Sequence, residues 1–190
     1  MQIITTAVIK GGTGKSSTAA ALAQAAVKAG NKVLAIDLDP QGNLSSFIGA
    51  DQSGASSYDL LHGDPAAQII QSTEQGIDAI AASPDLATER TTPASAKRLH
   101  AALEPLKGMY DFIFIDTPPT MGELTYNALQ ASTGLIIPLE TDNSSLQGLY
   151  QITGIAIREA QALQQSLFEY APHSKPAQDY KKLFTMIQEA

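Results

Sequence analysis

The chain has 190 residues, 44% of them hydrophobic and 16% charged, and carries a formal net charge of −7 with no cysteine. That length suits one domain with a sizeable core. The absence of cysteine excludes disulfides, thiolate zinc sites and cysteine-ligated iron–sulfur clusters, and the acidic balance does not advertise nucleic-acid binding, while leaving room for a local basic patch.

Taken in chain order, residues 2–9 are β-branched and alternating, which predicts a strand. This N-terminus has no basic n-region or small-residue cleavage site, so no signal peptide is expected. No run of 18 or more apolar residues follows anywhere, so no membrane span is expected either. A glycine-rich turn at Lys10–Gly14 leads into an alanine-rich stretch, Ser16–Ala29, that predicts a helix ending at Gly30. Lys32–Asp37 predicts a second strand. Strand, loop, helix and strand in this order make a βαβ unit, which implies a parallel sheet with a right-handed crossover.

Short helical pieces are expected around Tyr58–Leu61 and Pro65–Gln71, and a third strand at Ile77–Ala82. Pro93–Leu106 predicts a helix. Tyr110–Ile115 is almost uninterruptedly apolar, as befits a strand covered on both faces. Glu123–Ala131 predicts a helix, Gly134–Leu139 a fifth strand, and Asn143–Ala156 and Gln178–Gln188 two further helices. The expectation is a five-stranded α/β sandwich in one domain, with a mostly parallel sheet flanked by helices.

Three segments carry chemistry. Lys10-Gly11-Gly12-Thr13-Gly14-Lys15-Ser16-Ser17 lies between a predicted strand and a predicted helix, the context of a phosphate-binding loop. Glycines let successive backbone N–H groups converge on phosphate oxygens, and the helix adds its positive end. Lys15 is placed to reach the β/γ-phosphates and Ser16 to coordinate magnesium. The pattern G-x-x-x-x-G-K-S/T is not met, because Ile9 stands at its first glycine. The segment fits the deviant form K-G-G-x-G-K-S/T, with an additional lysine at position 10.

Asp37-Leu38-Asp39-Pro40-Gln41-Gly42-Asn43 follows the second strand, and alternation puts Asp37 and Asp39 on one face at its carboxyl end. Ligands of open α/β sheets bind at that end, where two carboxylates can serve a magnesium shell and orient an attacking water. Alone, the segment reads equally well as a solvated acidic turn. Phe112-Ile113-Phe114-Ile115-Asp116-Thr117-Pro118-Pro119 is a Walker-B-like strand, whose Asp116 is placed to hold magnesium, usually through water. His62, His100 and His173 are scattered, and their spacing suggests no metal site.

Together these motifs resemble the ParA/MinD class of deviant Walker ATPases, with a three-layer P-loop NTPase fold. Asp39-Pro40-Gln41-Gly42-Asn43, Asp116-Thr117-Pro118-Pro119, Leu124-Thr125-Tyr126-Asn127-Ala128-Leu129, Ser145-Leu146-Gln147-Gly148-Leu149 and Phe168-Glu169-Tyr170-Ala171-Pro172 look specifically like ParA (Soj-type) partition proteins. The resemblance implies ATP and Mg²⁺ as ligands, held by Gly11, Gly12, Thr13, Gly14, Lys15, Ser16 and Ser17. Lys10 resembles the signature lysine that reaches the partner's phosphates across a nucleotide-sandwich homodimer, with Gly12 at the close interface. Asp39 resembles the aspartate that positions the attacking water, and Asp37 and Asp116 support magnesium beside Ser16. Asn127 falls near the dimer and nucleotide face.

The resemblance further implies ATP hydrolysis stimulated by a ParB-type centromere-binding protein, non-specific DNA binding by the dimer, and a cytoplasmic, nucleoid-associated location with no membrane. Chains of this family run to about 250 residues or more. Here Ile152–Ile157 passes directly into Arg158-Glu159-Ala160, so part of the family's C-terminal half is expected to be lacking near 156–159. A MinD-like membrane-cycling ATPase is the alternative. It would need a basic amphipathic C-terminal helix, which Lys181-Lys182-Leu183-Phe184-Thr185-Met186-Ile187 faintly resembles. A nucleotide-binding switch without useful hydrolysis is the other.

Overall fold

The computed structural model describes residues 1–89, 95–138, 160 and 163–189. Strands β1 (Gln2–Thr6), β2 (Val33–Asp37), β3 (Gln71–Ser72), β4 (Asp78–Ile80), β5 (Phe112–Asp116) and β6 (Gly134–Ile136) form one sheet in the order β3-β4-β2-β5-β1-β6. Every pairing is parallel except β3 with β4. Among the described residues the sheet thus has six strands rather than five. The extra one is a two-residue antiparallel edge, too short to leave a periodic signal in the sequence.

The strand residues alternate between two cores. Val33 and Ala35 of β2 and Phe112 and Phe114 of β5 face one layer of helices. Leu34, Ile36, Ile113 and Ile115 face the other. Both faces are covered, which is why β2 and β5 read as continuous apolar runs. The first layer contains α1 (Lys15–Lys28), α2 (Asn43–Ile48), α7 (Leu167–Tyr170) and α8 (Lys175–Gln188). The second contains α3 (Ser57–His62), α4 (Ala66–Ile69), α5 (Arg98–Leu103) and α6 (Glu123–Ala131). The expected three-layer α/β architecture is present.

Helix α1 buries Ala19, Ala20, Ala21, Ala23, Ala25 and Ala26, small side chains that let it lie close to the sheet. It stops where predicted. Gly30, at φ 87°, donates to Val27 O (2.9 Å) and Asn31 N–H donates to Ala26 O (3.1 Å), a Schellman ending. Other boundaries differ from expectation. The first strand ends at Thr6, because the chain must leave the sheet before the glycine-rich turn. Residues 93 and 94 of the helix expected over Pro93–Leu106 lie outside the described residues; the described remainder is α at Arg98–Leu103, with 3₁₀ turns at Ser95–Lys97 and Glu104–Leu106, the second carrying Pro105. The last helix starts at Lys175, a turn earlier than predicted, because Ser174 accepts from Ala177 N–H (3.4 Å) and Pro176 suits the first turn. The predicted helix 143–156, the Ser145–Leu149 motif, Arg158 and the junction near 156–159 lie outside the described residues.

Asn127 is fully buried. Its Oδ1 accepts from Leu99 N–H (3.0 Å), and its Nδ2 donates to Glu123 O (3.1 Å) and Glu123 Oε1 (2.7 Å). These bonds tie α6 to the start of α5, so within this chain it is a staple between helices. Asn127→Ala would leave the Leu99 N–H and a Glu123 oxygen unpaired in the core. A loss of about 3 kcal/mol in urea unfolding is expected, and a change under 1 kcal/mol would contradict this role.

The apolar face of α8 is used inside the molecule. Phe184 meets the Phe112 ring edge-on at 5.1 Å, and Tyr180, Leu183 and Ile187 pack on the α1 core. A membrane helix of the MinD-like kind would need that face at the bilayer. Among the described residues no helix is long and apolar enough to cross a membrane.

Candidate nucleotide-binding site

Parallel pairing brings the carboxyl ends of β1, β2 and β5 to one edge, with Thr6 beside Asp116 and Asp116 beside Asp37. The loop from β1 to α1 arches over the same edge. A cavity of about 360 Å³ lies there, lined by Gly11, Gly12, Gly14, Lys15, Ser16, Ser17, Asp39, Gln41, Asn43, Phe47 and Pro119.

Gly12 and Gly14 have φ of 77° and 84°, a region other residues enter only with strain. A Cβ at Gly11, Gly12 or Gly14 would meet no atom within 4 Å. Packing within the protein therefore does not demand these glycines. The backbone conformation does, and the open space above it suits a ligand. Thr13 is buried, and its hydroxyl donates to Lys10 O (3.4 Å). Lys15 opens α1 and is only 6% exposed, so its ammonium is committed to the cavity region rather than to bulk water. Ser16 and Ser17 are half-buried on the first turn, and Lys10 is exposed on the loop.

The acidic side is denser than a solvated turn. Asp37, Asp39 and Asp116 are 1%, 6% and 0% exposed. Asp37 Oδ2 accepts from both the N–H and the hydroxyl of Ser45 (2.8 Å each), and its Oδ1 accepts from Asp39 N–H (3.0 Å). Asp39 Oδ1 accepts from Gln41 N–H (3.0 Å). Asp116 Oδ1 accepts from the Thr6 hydroxyl (3.3 Å), whereas Oδ2 is buried with no partner. Among the described residues only Glu123 Oε2 shares that condition.

Burial pushes Asp116 up to about 7. The Asp37 charge and, more weakly, that of Asp39 add to the rise, and the Ser16 hydroxyl and Lys15 ammonium oppose it. Burial likewise raises Asp37 to about 6, with Asp39 adding a little, against the three hydrogen bonds it accepts. Among these buried carboxylates, the unpartnered Asp116 Oδ2 is an acceptor that a cation would fit. No group of three or more His, Cys, Asp or Glu among the described residues forms a ready-made metal cage. The Asp116 carboxylate with the Ser16 hydroxyl beside it suits magnesium, which takes one or two carboxylates and completes its shell with water and phosphate.

Gly11, Gly12, Gly14, Lys15, Ser16 and Ser17 of the predicted loop thus meet Asp39 at one cavity, with Asp37 and Asp116 buried at the adjoining strand ends, whereas Lys10 and Thr13 do not line it. Asn127 does not line it. Sequence reasoning passed over Ser45, Thr6 and Ser57, whose hydroxyl donates to Asp37 O at 2.6 Å. Their partners are distant in the chain, and serine and threonine carry no distinctive spacing.

The model of the AAA domain family AAA_31 matches residues 1–168. The chain is 38% identical over 152 residues to the chromosome partitioning protein ParA of Myxococcus xanthus, covering 76% of this chain and 54% of that protein. It is 38% identical over 151 residues to the sporulation initiation inhibitor protein Soj of Bacillus subtilis, covering 75% and 60%. This chain therefore matches little more than half the length of these relatives. A crystal structure of cobyrinic acid a,c-diamide synthase from Mycobacterium smegmatis, with bound ATP analog and magnesium, superposes with a TM-score of 0.71 at 31% identity, covering 87% of this chain and 68% of that one. A glycine-rich loop with a buried lysine, a buried aspartate trio and these matches lead to one conclusion: the chain belongs to the AAA_31 family of AAA domains and is of the ParA/Soj type.

Proposed function

We propose that this chain binds ATP with Mg²⁺ in the cavity under the β1–α1 loop, hydrolyses it, and uses the cycle to drive DNA partitioning. The observation that carries this reading is the facing of two unlike walls. One is an open positive-φ glycine loop with the buried Lys15. The other is Asp39, with Asp37 and Asp116 buried at the strand ends behind it and one Asp116 oxygen unmatched.

The loop amides and the N-terminal end of α1 cradle the phosphates. Lys15 neutralises the β/γ-phosphate charge. Ser16 and Asp116 would hold the metal, with Asp37 supporting them, and Mg²⁺ held there would supply charge to offset that developing on the phosphates in the transition state. Asp39 lines the cavity and orients the attacking water in line with the γ-phosphate. Lys10, exposed on the loop, reaches the phosphates of a second copy in a face-to-face homodimer. A nucleoid-associated dimer that binds DNA non-specifically, and a ParB-type protein that accelerates hydrolysis, complete the scheme. The relatedness to ParA and Soj supports it.

The test is light-scattering mass after size exclusion of the Asp39→Ala chain, first with ADP-Mg²⁺ and then with ATP-Mg²⁺. Slowed hydrolysis should trap ATP, giving a monomer in ADP and a dimer in ATP. A monomer in both, with ATP binding confirmed by calorimetry, would overturn the role of Lys10 across a dimer.

A further inference from the structure

Ser45 lies on α2, eight residues beyond Asp37, and is 1% exposed. Its hydroxyl oxygen accepts from Ala82 N–H (3.0 Å), just beyond β4. With that lone pair occupied, the hydroxyl proton is directed at Asp37 Oδ2 (2.8 Å), where the Ser45 amide also donates (2.8 Å). Two donors on one oxygen set the plane of the carboxylate. The other oxygen, Oδ1, then meets the Asp39 amide at 3.0 Å. Asp39 begins the turn whose own carboxylate is held by Gln41 N–H and lines the cavity.

We propose that Ser45 is a positioning residue for Asp39, acting through Asp37. The relay runs from Ala82 N–H to the Ser45 hydroxyl, to the Asp37 carboxylate and to the Asp39 amide. It registers the residue assigned to the attacking water against β4, an element outside the cavity. Ser57, whose hydroxyl donates to Asp37 O (2.6 Å), braces the same residue from its backbone side. Thus α2, α3 and the end of β4 converge on Asp37. This explains why so buried a carboxylate spends its acceptors on protein donors, while Asp116 keeps one oxygen unmatched.

The catalytic consequence rests on the hydrolysis reading above, whereas the relay itself is testable without nucleotide. The amide of Asp39 should be protected from hydrogen exchange in the wild type. Ser45→Ala should speed its exchange about tenfold, leave the core amides of Ile36 and Ile115 unchanged, and be reversed by Ser45→Thr. In phosphate-release assays kcat should fall about tenfold with KM for ATP within twofold, and Ser45→Ala should add nothing in an Asp39→Ala background.

An unchanged Asp39 amide in Ser45→Ala would overturn the relay. So would equal acceleration at Asp39, Ile36 and Ile115, which would make Ser45 merely structural. If Ser45→Ala does not fold, Ser45→Cys keeps the volume with a weaker donor and carries the same expectation. A wild type that releases no phosphate but shows the exchange pattern would sink the hydrolysis reading alone.

Discussion

Lys15→Ala is expected to weaken ATP binding by at least about 100-fold, the loss of about 2.7 kcal/mol. The side chain is 6% exposed at the head of α1, and its ammonium already lowers the proton affinity of Asp116. Lys15 lines the cavity with Asp39, and without its ammonium a polyanionic ligand would meet that carboxylate with one cation fewer in compensation. A charge-assisted contact in a partly dry site is worth more than an exposed pair. Isothermal titration with ATP-Mg²⁺ reads the effect, and circular dichroism checks that the fold persists. A loss below tenfold would mean that Lys15 does not face the phosphates.

Asp116→Asn is expected to act in opposite directions on stability and on metal use. In the nucleotide-free chain Asp116 is raised from the ordinary carboxylate range to about 7, chiefly by burial and then by the Asp37 charge. A folded-state pKa above the unfolded one means that folding favours the proton. The associated stability is full below about pH 4 and is lost as pH rises through about 7. Asp37, raised to about 6, contributes in the same sense, its share being lost as pH rises through about 6. Removing the Asp116 charge should therefore stabilise the nucleotide-free chain at pH 8 by a few kcal/mol, raising Tm by roughly 5 °C. The gain should vanish at pH 5, where the wild-type group is already protonated.

The same substitution removes the carboxylate whose Oδ2 has no protein partner. The additional Tm shift that Mg²⁺ confers over ADP alone should be largely lost. A variant destabilised at pH 8, or one with an undiminished Mg²⁺ increment, would contradict the placement of the metal at Asp116. The expected trade between stability and function is typical of sites that concentrate like charge until a ligand arrives.

The phosphate loop was legible because its chemistry is local. Glycines, the lysine pair and the serines are consecutive from Lys10 to Ser17, and the strand before and the helix after are strongly patterned. The apolar runs Val33–Asp37 and Phe112–Asp116 announced buried parallel strands for the same reason. The small elements were not legible. A two-residue β3, a four-residue α7 and an α5 broken by 3₁₀ turns owe their shape to neighbours rather than to a periodic pattern.

By itself, then, the sequence determined the fold class, the phosphate loop and the identity of three acidic residues, because each rests on spacing along a few consecutive residues. Only the tertiary structure decided what those residues do to one another. Parallel register, not proximity in the chain, puts Asp116 between Asp37 on one side and Thr6 on the other. It strands one Asp116 oxygen without a donor while Ser45 and Asp39 occupy those of Asp37. It also turns Asn127 inward between α5 and α6. Desolvation and hydrogen-bond partnership depend on which groups surround an atom in three dimensions, and no one-dimensional spacing encodes that.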